Sequence, residues 1–182
     1  GFDRVYELSR SFRNEGLSTR HNPEFTMLEA YWAYHDRTDM MELVERLISQ
    51  AAQDVLGTKT FQYQGQTIDL SAAHWTTLSF AETMGKLGLS PDSPLEQIQR
   101  VLEREKGITI KGLTRSQLVR LSEQLIEQFV EPQAKQFPLF VVDYWTELSP
   151  LAKSTPDNPL VADRFELFIG GMEVANAYSE LN

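Results

Sequence analysis

Pro138-Leu139-Phe140-Val141-Val142-Asp143-Tyr144 is apolar at consecutive positions, the pattern of a strand buried on both faces inside a sheet. Further along, Phe165-Glu166-Leu167-Phe168-Ile169 and Met172 to Glu180 flank Gly170-Gly171. That is a hairpin signal, because glycine alone takes positive φ at no steric cost. Towards the other end, Arg4 to Glu15 carries Val5, Tyr6, Leu8 and Phe12 among polar residues, and Phe25 to Tyr34 is rich in aromatics, so both suit strands. The Gly16–Pro23 stretch between them is polar, has Gly and Pro as breakers, and exceeds a tight turn; it is expected to be a mobile, functional loop.

Helices fill the middle. Asp39 as cap, with Glu42 at the third position, predicts a helix in which Met40, Leu43, Val44, Leu47, Ile48, Ala51 and Val55 recur at helical spacing before Gly57 stops it. Thr58 to Leu70 alternates around Gly65 and reads as a small hairpin. Ser93-Pro94-Leu95-Glu96 predicts a capped helix start and Gly107 its end. Thr114 to Gln117 opens another helix, with Leu118, Leu121, Leu125, Ile126 and Phe129 facing inward and Pro132 beyond it. Strands on both sides of a helical block predict an α+β fold, an antiparallel β-sheet backed by helices, with residues 79–132 as a helical insertion.

Composition narrows the chemistry. The 182 residues suffice for one domain with a sizeable core. Hydrophobic residues at 41% and charged residues at 24% place the chain among ordinary globular proteins. No apolar run approaches the roughly 18–20 residues of a membrane span, so no membrane partner is expected. The absence of cysteine removes disulfides and thiolate metal sites and suits a cytoplasmic location. A formal charge of -9 repels polyphosphate in general, so any nucleic-acid contact must be local. The chain opens Gly1-Phe2-Asp3, without an initiator Met or a targeting pattern, and is expected to be an excised fragment.

Strand alternation puts Arg13 and Glu15 on one face of their strand, and Phe25, Met27, Glu29 and Tyr31 on one face of the next. If those faces agree, a guanidinium, two carboxylates, a phenol and a ring converge beside the loop carrying Arg20 and His21. On spacing alone the same residues also make a solvated hairpin with cross-strand salt bridges. At the other end, Glu166 and Glu173 flank the Gly-Gly turn, and two carboxylates with further oxygen ligands suit Mg²⁺. Two exposed glutamates on a hairpin are the plain alternative. Strict alternation sets Glu173 opposite Asn176, Tyr178 and Glu180, so a common pocket for all four requires a bulge between Glu173 and Asn176. His35 and His74 lack partners at metal-ligand spacing, and Trp32, Trp75 and Trp145 read as core residues.

The string Phe12-Arg13-Asn14-Glu15 … Arg20-His21-Asn22-Pro23-Glu24-Phe25-Thr26-Met27-Leu28-Glu29 resembles motif 2 of the class II aminoacyl-tRNA synthetases, in its lysyl form. Asp143 to Lys153, Asp163 to Glu173 and Asn176 to Asn182 resemble later blocks of the same family, in the same order. Ala177 and Tyr178 depart from the Gly and Phe of many bacterial members. The resemblance runs from motif 2 to just before motif 3, so motif 1, the anticodon-reading barrel and motif 3 are expected outside this chain. The isolated fragment is accordingly expected to have little or no aminoacylation activity.

What the resemblance implies is specific. It implies a lysine–tRNA ligase that uses ATP and Mg²⁺ to form lysyl-adenylate and passes lysine to the 3′ end of tRNA(Lys), with a homodimeric full-length enzyme. Arg13 would hold the ATP α-phosphate as charge moves onto it. Glu15 would accept from the adenine amino group, Phe25 would stack on the base, and His21 with Asn22 would complete the ATP set. Arg20 would approach ATP or the tRNA end. Glu166 and Glu173 would hold Mg²⁺ against the phosphates. Asn176 would orient the lysine carboxylate, Glu29, Tyr31 and Glu180 would surround the lysine ε-ammonium, and Tyr178 would join the lysine-binding set. A carboxylate left without the ε-ammonium would penalise other amino acids by roughly a factor of 10³. These roles require the opening and closing hairpins to serve one cavity. Two other readings stay open: a related ligase that lysylates a translation elongation factor, and a non-catalytic relative that keeps the fold for binding.

Overall fold

The computed structural model describes residues 1–14, 16 and 21–181. They divide into two compact units, Gly1–His35 and Asp36–Asn182. The first is an antiparallel hairpin of β1 (Arg4–Phe12) and β2 (Glu24–Trp32), in unbroken register from Arg4 opposite Trp32 to Phe12 opposite Glu24. Beyond the strands, Ala33 donates to the Asp3 carbonyl and Arg13 to the Pro23 carbonyl, each at 2.9 Å. Strand β1 therefore stops short of the expected Glu15. Pro23 has no N–H to return the second bond of an antiparallel pair, and the ladder ends there. Strand β2 ends at Trp32, short of Tyr34, whose φ of 63° turns the chain.

The second unit begins with α1 (Arg37–Leu56). Its cap is Asp36, not Asp39: the Asp36 side chain accepts from the Thr38 and Asp39 amides, and Asp39 returns a bond to the Asp36 amide. This reciprocal pair satisfies the free donors one turn earlier than expected. Gly57, at φ 70°, closes the helix as predicted. Met40, Met41, Val44, Ile48 and Ala52 pack inward, whereas Leu47 and Val55 lie exposed. The small hairpin follows as β3 (Thr60–Tyr63) and β4 (Gln66–Asp69), turning through Gln64 and Gly65, both at positive φ.

The chain then forms β5 (Thr76–Ser79), the helices α2 (Phe80–Lys86), α3 (Leu95–Lys106), α4 (Arg115–Glu123) and α5 (Glu127–Gln133), and β6 (Leu139–Val142). A 3-10 turn at Thr146–Leu148, the short pair β7 (Ser154–Thr155) and β8 (Asn158–Ala162), and the hairpin β9 (Arg164–Ile169) and β10 (Met172–Tyr178) complete it. One sheet runs β10-β9-β6-β5. The α+β class stands, and the closing pairs are antiparallel, but β5 and β6 run parallel. Parallel neighbours need a crossover, and α2 to α5 supply it. Strand β5, unread in the sequence, is too short to show a period. β6 is buried along its whole length, as predicted.

Two details of the helices differ from expectation. Ser93 does not cap α3; its hydroxyl accepts from the Ser90 amide at 2.8 Å, and Pro94 holds the cap position. The run after Thr114 is two helices, not one, and Pro132 lies inside α5. Tight turns at Leu125 and Ile126 break the run, and both side chains are buried, as is Val130.

The sheet is covered on both faces. Leu139, Val141 and Phe168 join a core with Phe80, Ile98 and Leu118 of the crossover helices, with Leu125 in the turn between α4 and α5, and with Tyr144 and Trp145. Phe140, Val142, Phe165 and Leu167 point the other way, onto Ile68, Trp75 and α1. Trp75 and Trp145 are core residues as expected, while Trp32 is half-buried and stacks on His35 at 3.6 Å. Among the described residues no helix is long and apolar enough to cross a membrane.

Candidate functional site

In the first unit, Arg13 lies just past β1, its guanidinium 5.3 Å from the Phe25 ring centre and Nη2 3.9 Å from Met27 Sδ. Phe25, Met27 and Glu29 are each less exposed than their neighbours in β2, as expected of one face; Tyr31 is exposed. Phe25 sits opposite Ser11, Glu29 opposite Glu7 and Tyr31 opposite Val5. His21 and Asn22 are exposed ahead of β2, with Asn22 Oδ1 3.5 Å from the Glu24 amide. Glu15 and Arg20, with Leu17 to Thr19 of the expected loop, lie outside the described residues.

In the second unit, the expected bulge is present. The β9–β10 register shifts between Glu173 and Ala175, so Glu173 faces Phe168 and Asn176 faces Glu166. The extra residue, Val174, brings Glu173 to the face of Asn176 despite their odd spacing. Gly170 and Gly171, at φ 62° and 76°, form the turn that fixes this register. Asn176 Nδ2 then donates to Glu166 Oε1 at 3.3 Å and to Glu173 Oε1 at 3.5 Å. Tyr178 faces Arg164 across the pair, and Glu180 bridges to Ala152.

The sequence reading missed the residues that organise this face. Arg164, the partner of Glu166 two positions earlier on the same strand face, donates Nη2 to Glu166 Oε1, Nε to Asn176 Oδ1 at 3.3 Å and Nη1 to Ser149 Oγ at 2.9 Å. Its guanidinium lies 4.5 Å from the Tyr144 ring centre, and Nη1 is 3.7 Å from Glu123 Oε1 on α4. Tyr144 donates to Glu166 Oε2 at 2.6 Å. Alternation along Arg164-Phe165-Glu166 was the available signal for Arg164; Tyr144 and Glu123 arrive from distant segments.

Electrostatics follow from this crowding. Burial pushes the Tyr144 phenol well above its ordinary value, helped by the Glu166 charge, so it remains a donor. The Glu173 carboxyl is pushed up by desolvation and then by Glu166, with Asn176 and Arg164 pulling the other way. Glu123 is likewise raised, by desolvation first and with Arg164 opposing. One guanidinium therefore faces three carboxylates. A face left negative by carboxylate oxygens fits a hard divalent cation. Among the described residues no group of three or more His, Cys, Asp or Glu could hold a metal. Glu166 and Glu173 supply two carboxylates, so an ion held by them would take its remaining ligands from phosphate oxygens and water.

The family described as tRNA synthetases class II (D, K and N) matches residues 1–182. Lysine--tRNA ligase of Pelotomaculum thermopropionicum is 47% identical over 185 residues, which cover 100% of this chain and 36% of that protein. The enzymes of the same name from Psychrobacter cryohalolentis and Legionella pneumophila are 44% and 46% identical, covering 100% of this chain and 35% and 36% of theirs. The chain spans about a third of the length of these curated relatives. With a family match along its whole length, the chain belongs to the class II tRNA synthetases (D, K and N).

Proposed function

We propose that this chain is part of the catalytic domain of a lysine–tRNA ligase, with residues 79–132 as a helical insertion in that domain. The reaction is ATP-dependent activation of lysine to lysyl-adenylate, followed by transfer to the 3′ end of tRNA(Lys), in a cytoplasmic, homodimeric full-length enzyme. The observation that carries the reading is the bulged β9–β10 hairpin, which turns Glu166, Glu173 and Asn176 to one face. The ligase names of the relatives support it, and no observation favours elongation-factor lysylation or a non-catalytic role.

On this reading Glu166 and Glu173 hold Mg²⁺, which when bound neutralises charge on the ATP phosphates. The residues of the chain do the rest by position and charge. Arg13 offers a planar fork to the α-phosphate, Phe25 a ring to the adenine and Glu15 an acceptor to its amino group. His21 and Asn22 take the outer phosphates. Asn176 aligns the lysine carboxylate for attack on the α-phosphorus, while Glu29, Tyr31, Tyr178 and Glu180 receive the side chain. No protein nucleophile is needed, since the substrate carboxylate attacks ATP and the tRNA ribose hydroxyl then attacks the adenylate.

Lysine-dependent exchange of pyrophosphate into ATP by the full-length protein tests this. Exchange with lysine, lost on Glu173→Ala, is the expected result; exchange driven by another amino acid, or none with lysine, overturns it.

A further inference from the structure

We propose that Arg164 is a positioning residue that ties the metal-holding carboxylate of Glu166 to the substrate-orienting amide of Asn176, so that the two sites are set together by one guanidinium. The inference rests on the roles proposed for Glu166 and Asn176.

The argument starts from donor geometry. A guanidinium is planar and carries its donors in fixed directions, so engaging one acceptor fixes where the others must lie. Arg164 uses all three nitrogens: Nη2 on Glu166, Nε on Asn176 Oδ1 and Nη1 on Ser149 Oγ. The side chain is only 11% exposed, and the Tyr144 ring beneath it blocks rotation out of the plane. The bond to Asn176 Oδ1 also sets the orientation of that amide, since it leaves Nδ2 to point at Glu166 and Glu173. Without a cation on Oδ1, the amide could flip and present an oxygen to two carboxylates.

Tyr144 gives an internal contrast. Its phenol bonds Glu166 Oε2 and no atom of Asn176. Removing it loosens the carboxylate alone, while disturbing Arg164 loosens both groups. Supporting residues of this kind typically change metal affinity by about 10–100-fold when altered. A purely structural ion pair would lower stability and leave both affinities where they were.

The test uses the full-length protein, with Mn²⁺ and α,β-methylene-ATP titrated by electron paramagnetic resonance and lysine titrated by calorimetry without nucleotide. Arg164→Lys keeps the charge but loses the fork. It should raise the Mn²⁺–nucleotide dissociation constant by about tenfold or more, as such supporting residues do, and raise the lysine constant with it. Tyr144→Phe should weaken Mn²⁺–nucleotide binding and leave lysine binding within about twofold, since the phenol touches only the carboxylate. If Arg164→Lys fails to fold, Ser149→Ala carries the test: it frees one guanidinium anchor and should weaken both affinities together by a smaller factor. Arg164→Lys, or Ser149→Ala in its place, leaving both affinities unchanged or moving only one overturns the inference while the proposed function stands. Wild-type protein that binds neither lysine nor Mn²⁺–nucleotide overturns both.

Discussion

Tyr144 and Glu166, 22 residues apart, are joined by a 2.6 Å hydrogen bond in which the buried phenol donates to a carboxylate oxygen. The phenol remains protonated because burial and the neighbouring charge both disfavour phenolate. Tyr144→Phe keeps the ring stacked at 5.0 Å on Phe80 and removes only this donor. A hydrogen bond to a charged group contributes about 1.5–3 kcal/mol, and urea unfolding of the variant should show a loss in that range.

The pH dependence of stability carries the signature of Glu173. Its carboxyl is raised in the folded protein, by desolvation first and Glu166 second, so the folded state holds this proton longer than the unfolded chain does. The contribution is fully present below the ordinary value of 4.5 and is lost as pH rises through the folded value. Unfolding titrations above about pH 4.5 should therefore show a falling component that Glu173→Gln removes. A wild-type and variant pair with the same slope would contradict it.

Arg37 holds the start of α1 to the end of β6. Its side chain donates to Asp143 at 2.8 Å, lies 3.3 Å from Asp163, and is 20% exposed. Asp163 also accepts from the Ser179 hydroxyl, so the contact reaches the end of β10. Arg37→Met leaves two half-buried carboxylates without their cation. The expected loss is about 2 kcal/mol, less than for a fully buried pair, measured by denaturant midpoint at constant slope.

Gly171→Ala tests the turn that sets the bulge. At φ 76° an alanine side chain meets its own backbone, although the nearest neighbouring atom, Glu131 Cγ, is 3.8 Å away. The cost is about 1–2 kcal/mol from conformation alone. A neutral result in thermal unfolding would mean the turn relaxes without moving the register.

Phe80 anchors the helical face of the sheet, fully buried between Tyr144 and Trp145. Phe80→Ala should cost about 3–5 kcal/mol, with Phe80→Leu costing less because most of the volume is kept.

Much of the fold was legible in residue order. The strands β1 and β2, though each ends earlier than expected, the all-apolar β6, Gly57 and Gly107 as helix stops and the Gly170-Gly171 turn each rest on local rules and each is present. The bulge at Glu173 was legible for a different reason: a chemical requirement conflicted with strict alternation, and only an extra residue could reconcile them. The choice between Asp36 and Asp39 as cap, and the break between α4 and α5, were not legible. In both cases nearby alternatives had similar local preference, and reciprocal bonding or burial decided.

Local sequence therefore determined where β1 to β4, β6, β9, β10, α1 and α3 form, because φ/ψ preference and apolar period act over a few neighbours, and left β5, β7, β8 and α2 unread. The tertiary structure decided that β5 lies parallel to β6, and that Tyr144, Ser149 and Glu123 meet Arg164 around Glu166. Contacts between segments far apart in the chain depend on how whole faces pack, and no short-range preference encodes that.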